Sequence, residues 1–242
     1  MDMKEINKSK PVIVTGASGY VAGWLVKKLL DEGLTVHAPV RNPQNKERLK
    51  YLVDLAENSP GQIVFFEADL LKKGSYEEAM KDCELVFHTA SPFRLKVKNK
   101  QRDLIEPALE GTRNVLASVK RTSSVKRVVL TSSVAAIFGD GADLLRLDGQ
   151  TANENHWNTS SSPRHQAYSY SKTLAEQEAW KITAEQKRWD LVVINPSMVI
   201  GPGISPKMTS ESFNLIQQLG DGRMKAGVPD FTIGVVDVRD LA

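Results

Sequence analysis

The chain has 242 residues, enough to bury one full core or one and a fraction. Lys plus Arg total 32 against 29 Asp plus Glu, so the net charge of +3 is too mild to imply a nucleic-acid partner, and the basic stretch 96–102 reads as a solvated face. The single cysteine, Cys83, excludes an internal disulfide framework and fits a reducing compartment, while its neighbours Asp82 and Glu84 disfavour a low-pKa thiol.

In chain order, residues 1–10 are polar and lack an apolar signal core. Residues 11–15 read as a strand. Residues 21–32 read as a helix with Val21, Leu25, Leu29 and Leu30 on one side, stopped by Gly33. A second strand is predicted at 35–40 and a helix at 48–57, broken by the turn at 58–61. Further strands are predicted at 63–67, 85–88, 125–131 and 191–195, with helices near 76–81, 104–120 and 168–186. Residues 139–163 are polar and poorly periodic, which predicts a long loop. After Pro196 the pattern becomes Pro- and Gly-punctuated, with one helix near 211–219.

Strand–helix alternation predicts an α/β fold: a Rossmann-type doubly wound parallel sheet covered on both faces. The division expected is a nucleotide-binding domain over 1–195 and the start of a smaller substrate-binding region over 196–242, incomplete in this chain. No apolar run is long enough to span a bilayer, and a cytoplasmic protein with no membrane or nucleic-acid partner is expected. His37, His88, His156 and His165 show no metal-ligand spacing, so no metal is assigned.

The turn Thr15-Gly16-Ala17-Ser18-Gly19-Tyr20-Val21-Ala22-Gly23 joins the first strand to the first helix. Gly16 and Gly19 let the backbone approach a pyrophosphate, and the helix N-terminus offers free N–H groups to it. Ala22 stands at the third small position with Gly23 beside it, a departure from the usual dinucleotide spacing. At the end of the second strand stands Arg41, with Arg48 following in the next helix. A guanidinium there pairs with a 2′-phosphate that an acid would repel, which predicts NADP rather than NAD. Asp69 and Leu70 follow the third strand, where they could meet adenine. Thr89, Ala90 and Ser91 follow the fourth, either lining the cofactor path or forming an ordinary turn.

Tyr168 and Lys172 are four residues apart on a predicted helix and share one face. A nearby ammonium should lower the phenol's pKa, so that the tyrosine can cycle as acid and base. Thr131-Ser132-Ser133 precedes them at a strand end. Side chains alternate along an extended segment, and Ser133 is the serine chosen to hold a carbonyl oxygen.

These residues together resemble the extended short-chain dehydrogenase/reductase family, in the branch of dihydroflavonol reductases, cinnamoyl-CoA reductases and microbial ketone or aldehyde reductases. The resemblance covers nearly the whole chain and rests on segments 15–24, 40–43, 68–70, 86–93, 110–112, 131–133, 168–172 and 195–202. It implies a catalytic triad of Ser133, Tyr168 and Lys172, with Tyr168 as proton donor and both Tyr168 and Lys172 against the cofactor. It implies cofactor contacts from Gly16, Ser18, Gly19, Tyr20, Val21, Arg41, Arg48, Asp69, Leu70, Thr89, Ala90 and Ser91, and from Pro196, Ser197 and Val199 beside the nicotinamide. The activity implied is NADPH-dependent reduction of a small-molecule ketone or aldehyde by a monomer or homodimer. The alternatives are a nucleotide-sugar epimerase or dehydratase with tightly held NAD, and a non-catalytic dinucleotide sensor.

Departures narrow the substrate. Residues before Lys172 lack the Asn-Trp-Tyr-Cys-Tyr-Gly-Lys signature of cinnamoyl-CoA reductases, which argues against a CoA thioester. Phe138 stands where dihydroflavonol reductases keep a polar residue. The loop 153–157 resembles the family's acidic-tryptophan loop, read first as a structural anchor. Phe93, Phe138, Met198 and residues 163–167 are the candidates for an apolar pocket.

Overall fold

The computed structural model describes residues 5–92, 97–205, 208, 210–227 and 232–242. Six parallel strands form one sheet: β1 (Val12–Thr15), β2 (Thr35–Val40), β3 (Gln62–Glu67), β4 (Leu85–His88), β5 (Arg127–Thr131) and β6 (Asp190–Ile194). Their order is β3-β2-β1-β4-β5-β6. The winding reverses between β1 and β4, where Val12 pairs with Val36 on one side and Leu85 on the other. Open α/β sheets bind ligands outside the carboxyl ends of the strands at such a switch point.

Helices α1 (Tyr20–Asp31) and α2 (Lys46–Glu57) cover one face. Helices α3 (Glu77–Met80), α4 (Glu106–Arg121) and α6 (Ala167–Ala184) cover the other, and a short α5 (Gly141–Leu144) lies between α4 and α6 in sequence. The strand runs are apolar without alternation because both faces are buried. Val12 and Val14 pack with Ala22, Val26 and Leu30 of α1 and Leu49 and Leu52 of α2. Ile13, Val86 and Val128 point to the opposite side and pack with Val115, Leu116 and Val119 of α4 and Ala179 of α6. Burying such a side chain stabilises the fold by roughly 1.5–3 kcal/mol.

Three expectations are corrected. The buried stripe of α1 runs through Ala22, Val26 and Leu30, whereas Val21, Leu25 and Leu29 are only partly buried. Close packing against the sheet favours the row with the small residue at its start, which the larger row cannot enter. Residues 139–163 are not structureless. They hold α5, a 3-10 turn at Asp148–Gln150 and a knot in which the Asp143 carboxylate accepts from Gly139 N, Asp140 N and Ser160 Oγ. Beyond residue 196, strands β7 (Met198–Ile200) and β8 (Val235–Asp237) form a second parallel sheet that the sequence pattern did not reveal.

Helices α7 (Glu211–Gly220) and α8 (Val238–Leu241) complete this segment. It folds back on α1. Tyr20 Oη donates to the Gly201 carbonyl at 2.8 Å, Trp24 Nε1 to that of Pro202 at 2.9 Å and Lys28 Nζ to that of Ala242 at 2.8 Å. Among the described residues no helix is long and apolar enough to cross a membrane, and no group of three or more His, Cys, Asp or Glu could hold a metal ion.

Candidate active site

A cleft of about 1260 Å³ opens at the switch point, lined by Gly16, Ser18 and Gly19 at one end and Arg41 and Arg48 at the other. Gly16 has φ +70, and a Cβ there would lie 3.0 Å from Ala90 Cα. Only glycine allows this turn and this close approach together. The floor is laced by Thr15, whose Oγ1 pairs with His88 Nδ1 at 2.9 Å and accepts from Ala90 N at 3.1 Å, while its carbonyl accepts from Thr89 Oγ1. The N-cap of α1, Gly19, brings no side chain to the helix end, and the first turn carries no acid. Nothing anionic in that turn competes for the free N–H groups, so this end of the cleft suits a phosphate.

At the far end, Arg41 forms no ion pair among the described residues, and both Arg41 and Arg48 are exposed. The backbone N–H of Arg48 is held by the Asn45 side chain capping α2 at 3.0 Å, which fixes where its guanidinium starts. Asp69 and Leu70 line the wall. One Asp69 carboxylate oxygen accepts from Leu71 N at 2.8 Å, a local turn that holds Leu70 against α4. There a Cβ on Gly111 would come 2.6 Å from Leu70 Cγ. Gly111→Ala should therefore push Leu70 into the cleft and destabilise the fold by about 1–3 kcal/mol. Urea unfolding at constant m-value checks this, and an unchanged midpoint would remove the packing role given to Gly111.

Tyr20, Val21, Tyr168, Lys172, Pro196, Ser197 and Val199 do not line the cleft with the other predicted contacts. The Tyr20 ring packs edge-on against Phe213 at 4.9 Å, and its hydroxyl is spent on Gly201. This side chain ties α1 to the 196–242 segment, which leaves only its backbone for a cofactor. Val199 is held in β7 against Val236. The Pro196 carbonyl accepts from Val134 N at 3.0 Å, which sets the 196–197 backbone beside Ser133. Phe93 lies outside the described residues.

Of the predicted catalytic residues, Ser133 and Tyr168 meet each other, and Lys172 lies one turn further along α6 behind the Ala90–Ser91 wall. Ser133 leaves β5 in extended conformation and caps the 3-10 turn Val134–Ala136, accepting from Ala135 N at 3.2 Å. The Tyr168 hydroxyl hydrogen-bonds Ser133. Ser132 points the other way: its Oγ is buried without a protein partner and faces a small cavity shared with His88, Lys172 and Glu176. Ala90 and Ser91 line both this cavity and the cleft, so Lys172 sits directly behind the cleft wall.

The electrostatics correct one expectation. Tyr168 is not lowered by its neighbour. Burial pushes its hydroxyl up to about 12, and only the hydrogen bond from Ser133 opposes this. Lys172 is itself pulled down by burial to about 8, with the Glu176 carboxylate acting against that fall. Burial disfavours both phenolate and ammonium here, and it outweighs the attraction expected between them. The buried His88 imidazole is held down to about 3, by desolvation first and by the Lys172 charge second, so it stays neutral.

Sequence reasoning missed the residues that hold this group in place. Gln166, the N-cap of α6, is left-handed at φ 53, and its amide donates to the Asp140 carboxylate, which also contacts His165 Nε2 at 2.9 Å. A left-handed residue other than glycine needs such support. It sets the first turn of α6, and thus Tyr168. Glu176 and Asn195 were visible only as a residue four beyond Lys172 and as a strand-end amide.

Sheet order, glycine turn and switch-point cleft define a Rossmann-type α/β protein. The family model described as NAD dependent epimerase/dehydratase family matches residues 12–240, and the chain belongs to that family. Within it the chain is 40% identical over 243 residues to a cinnamoyl-CoA reductase of Medicago truncatula, covering 99% of this chain and 72% of that one. It is also 40% identical over 240 residues to tetraketide alpha-pyrone reductase 2 of Arabidopsis thaliana, covering 95% and 70%. Among solved structures it is similar to yeast methylglyoxal/isovaleraldehyde reductase complexed with NADPH, with TM-score 0.82 and 32% identity over 96% of this chain and 71% of that one.

Proposed function

We propose that this protein is an NADPH-dependent reductase of ketones or aldehydes, with Ser133, Tyr168 and Lys172 at the reacting centre. The observation that carries the reading is the hydrogen bond between Tyr168 and Ser133, one helical turn from a lysine that sits behind the wall of a cleft lined by a bare helix end and by two arginines. The cofactor's pyrophosphate would lie over Gly16, Ser18 and Gly19 with the backbone of Tyr20 and Val21, and its 2′-phosphate against Arg41 and Arg48. Adenine would meet Asp69 and Leu70, and the ribose Thr89, Ala90, Ser91 and Lys172. Pro196 and Ser197 would edge the nicotinamide, with Val199 supporting them from β7. In this reading residues 1–195 serve as the cofactor half and 196–242 belong to the substrate region. The similar yeast reductase carries NADPH in its structure, which supports the cofactor assignment.

When bound, the reduced nicotinamide supplies the hydride. The protein's part is to hold the substrate oxygen and give it a proton. Ser133 and Tyr168 both point hydroxyls at one place, so a carbonyl oxygen set between them accepts two hydrogen bonds that strengthen as charge develops on it. Tyr168, raised to about 12, is fully protonated at neutral pH and is the donor form that reduction requires. An alkoxide is far more basic than a phenolate, so the transfer runs downhill. The ammonium of Lys172 then stabilises the phenolate left behind.

This chain has Ser169-Tyr170-Ser171 before Lys172 in place of the Cys-Tyr-Gly of the cinnamoyl-CoA signature, which favours a free ketone or aldehyde over a thioester. The experiment is a fluorescence titration with NADPH and NADH, followed by a turnover screen of aldehydes, diketones and aryl ketones. Tighter NADPH binding and oxidation of NADPH by at least one of these classes is the expected result. Release of tightly bound NAD on denaturing the purified protein, with no carbonyl turned over, would sink the reading in favour of an epimerase or dehydratase.

A further inference from the structure

Glu176 stands one helical turn beyond Lys172, and both side chains face the small cavity behind the cleft wall. Both residues are only 7% exposed. The cavity measures about 10 Å³, the space of about one water, and the two groups look across it without forming a direct ion pair. A carboxylate taken out of water is costly unless its oxygens are met by donors. Here they are: Asn195 Nδ2 donates to Oε2 at 2.8 Å and Trp180 Nε1 to Oε1 at 3.4 Å. The same Asn195 nitrogen donates to the Ser133 carbonyl at 3.1 Å, and because a carbonyl only accepts, this contact fixes the amide's orientation. An indole N–H likewise only donates. Both partners of Glu176 therefore require it as an acceptor, which suits the ionised form.

We propose that Glu176 is a positioning residue for the catalytic pair: it is the buried counter-charge that keeps Lys172 an ammonium, and through Asn195 it fixes the backbone of Ser133. The inference rests on the reductase reading for its effect on turnover, but not for its effect on Lys172. Among the described residues no other acid lines the cavity. From β4 it is faced by His88, which is neutral; from α4 by Thr112; from the end of β5 by Ser132; and on α6 Tyr168 lies one turn before Lys172. Among the described residues Lys172 thus has one opposing charge facing it across the cavity. Without it, burial alone would set the amine's proton affinity, and more of the ammonium that holds the phenolate would be lost at and above neutral pH.

The test uses the full chain labelled with ¹³C at lysine Cε, with Lys172→Met identifying the resonance. In the wild type the Lys172 signal should titrate near 8. In Glu176→Gln the midpoint should move down by about one pH unit or more. The alkaline limb of kcat/KM should move down with it, cutting turnover about threefold at pH 7.5 and about tenfold well above pH 8. Glu176→Asp keeps the charge one methylene further back. It should give a smaller shift in the same direction, and it serves as the variant to measure if the glutamine form does not fold. A Lys172 midpoint unmoved in either variant overturns the proposal. A moved midpoint in a protein that reduces no carbonyl upholds the electrostatic role and instead refutes the function it was set in.

Discussion

Tyr168→Phe should lower kcat/KM for carbonyl reduction at pH 7 by about 10³-fold, about 4 kcal/mol of transition-state stabilisation, while NADPH binding is retained. The substitution removes one oxygen and leaves the ring, so the packing of the first turn of α6 survives. What disappears is the proton donor and one of the two hydrogen bonds to the developing oxyanion. The pH dependence carries a second, independent expectation. Tyr168 is raised to about 12, so its proton is present from neutral pH to well above 10 and does not set the alkaline limb. Lys172, lowered to about 8, does. Reduction should fall as pH rises through about 8, as the ammonium loses its proton, and the wild-type profile of kcat/KM reads this directly. Turnover persisting in the phenylalanine variant would remove Tyr168 from the chemistry, and a limb set above pH 10 would transfer control from Lys172 to Tyr168.

That inversion illustrates what the sequence can and cannot carry. The strand–helix alternation was legible because each parallel strand is a short apolar run bounded by turn residues, and each crossover helix has its own periodicity; both are local signals. The glycine turn was legible because Gly16 answers a need for φ +70 that few other residues meet. The Tyr168–Lys172 spacing likewise follows from helix geometry alone. The direction of the tyrosine's pKa shift did not, because it depends on how much solvent the surrounding elements exclude, a property of tertiary packing. The buried face of α1 was misjudged for a related reason. Val21, Leu25 and Leu29 form an apolar row as good as Ala22, Val26 and Leu30, and only the sheet decides which row is against it. Asp140 and Asp143 read as loop acids because the partners that make them a knot, Gln166 and Ser160, lie 26 and 17 residues away. Pairing of β7 with β8 spans still more chain, and three-residue strands give no periodicity to count.

The second large effect concerns which dinucleotide the cleft accepts. Replacing Arg41 and Arg48 together by Ala should weaken NADPH binding by about 10²–10³-fold and leave NADH nearly unaffected, because a charged hydrogen bond to phosphate contributes roughly 1.5–3 kcal/mol and NADH has no group for either guanidinium to meet. The fold should tolerate the change. Arg41 forms no ion pair among the described residues, and the contact that caps α2 uses the backbone N–H of Arg48, which alanine keeps. Exposure sets a further condition. Both side chains are in contact with solvent, so their attraction for the 2′-phosphate is screened, and the preference of the wild type for NADPH over NADH should narrow as salt rises from about 0.05 to 0.5 M. In the double variant that salt dependence should vanish along with the preference. Fluorescence titration of both cofactors at two ionic strengths measures all four quantities at once. A double variant that still prefers NADPH would mean that the 2′-phosphate is recognised elsewhere, and the arginines would return to being ordinary surface charge at the end of β2 and the start of α2.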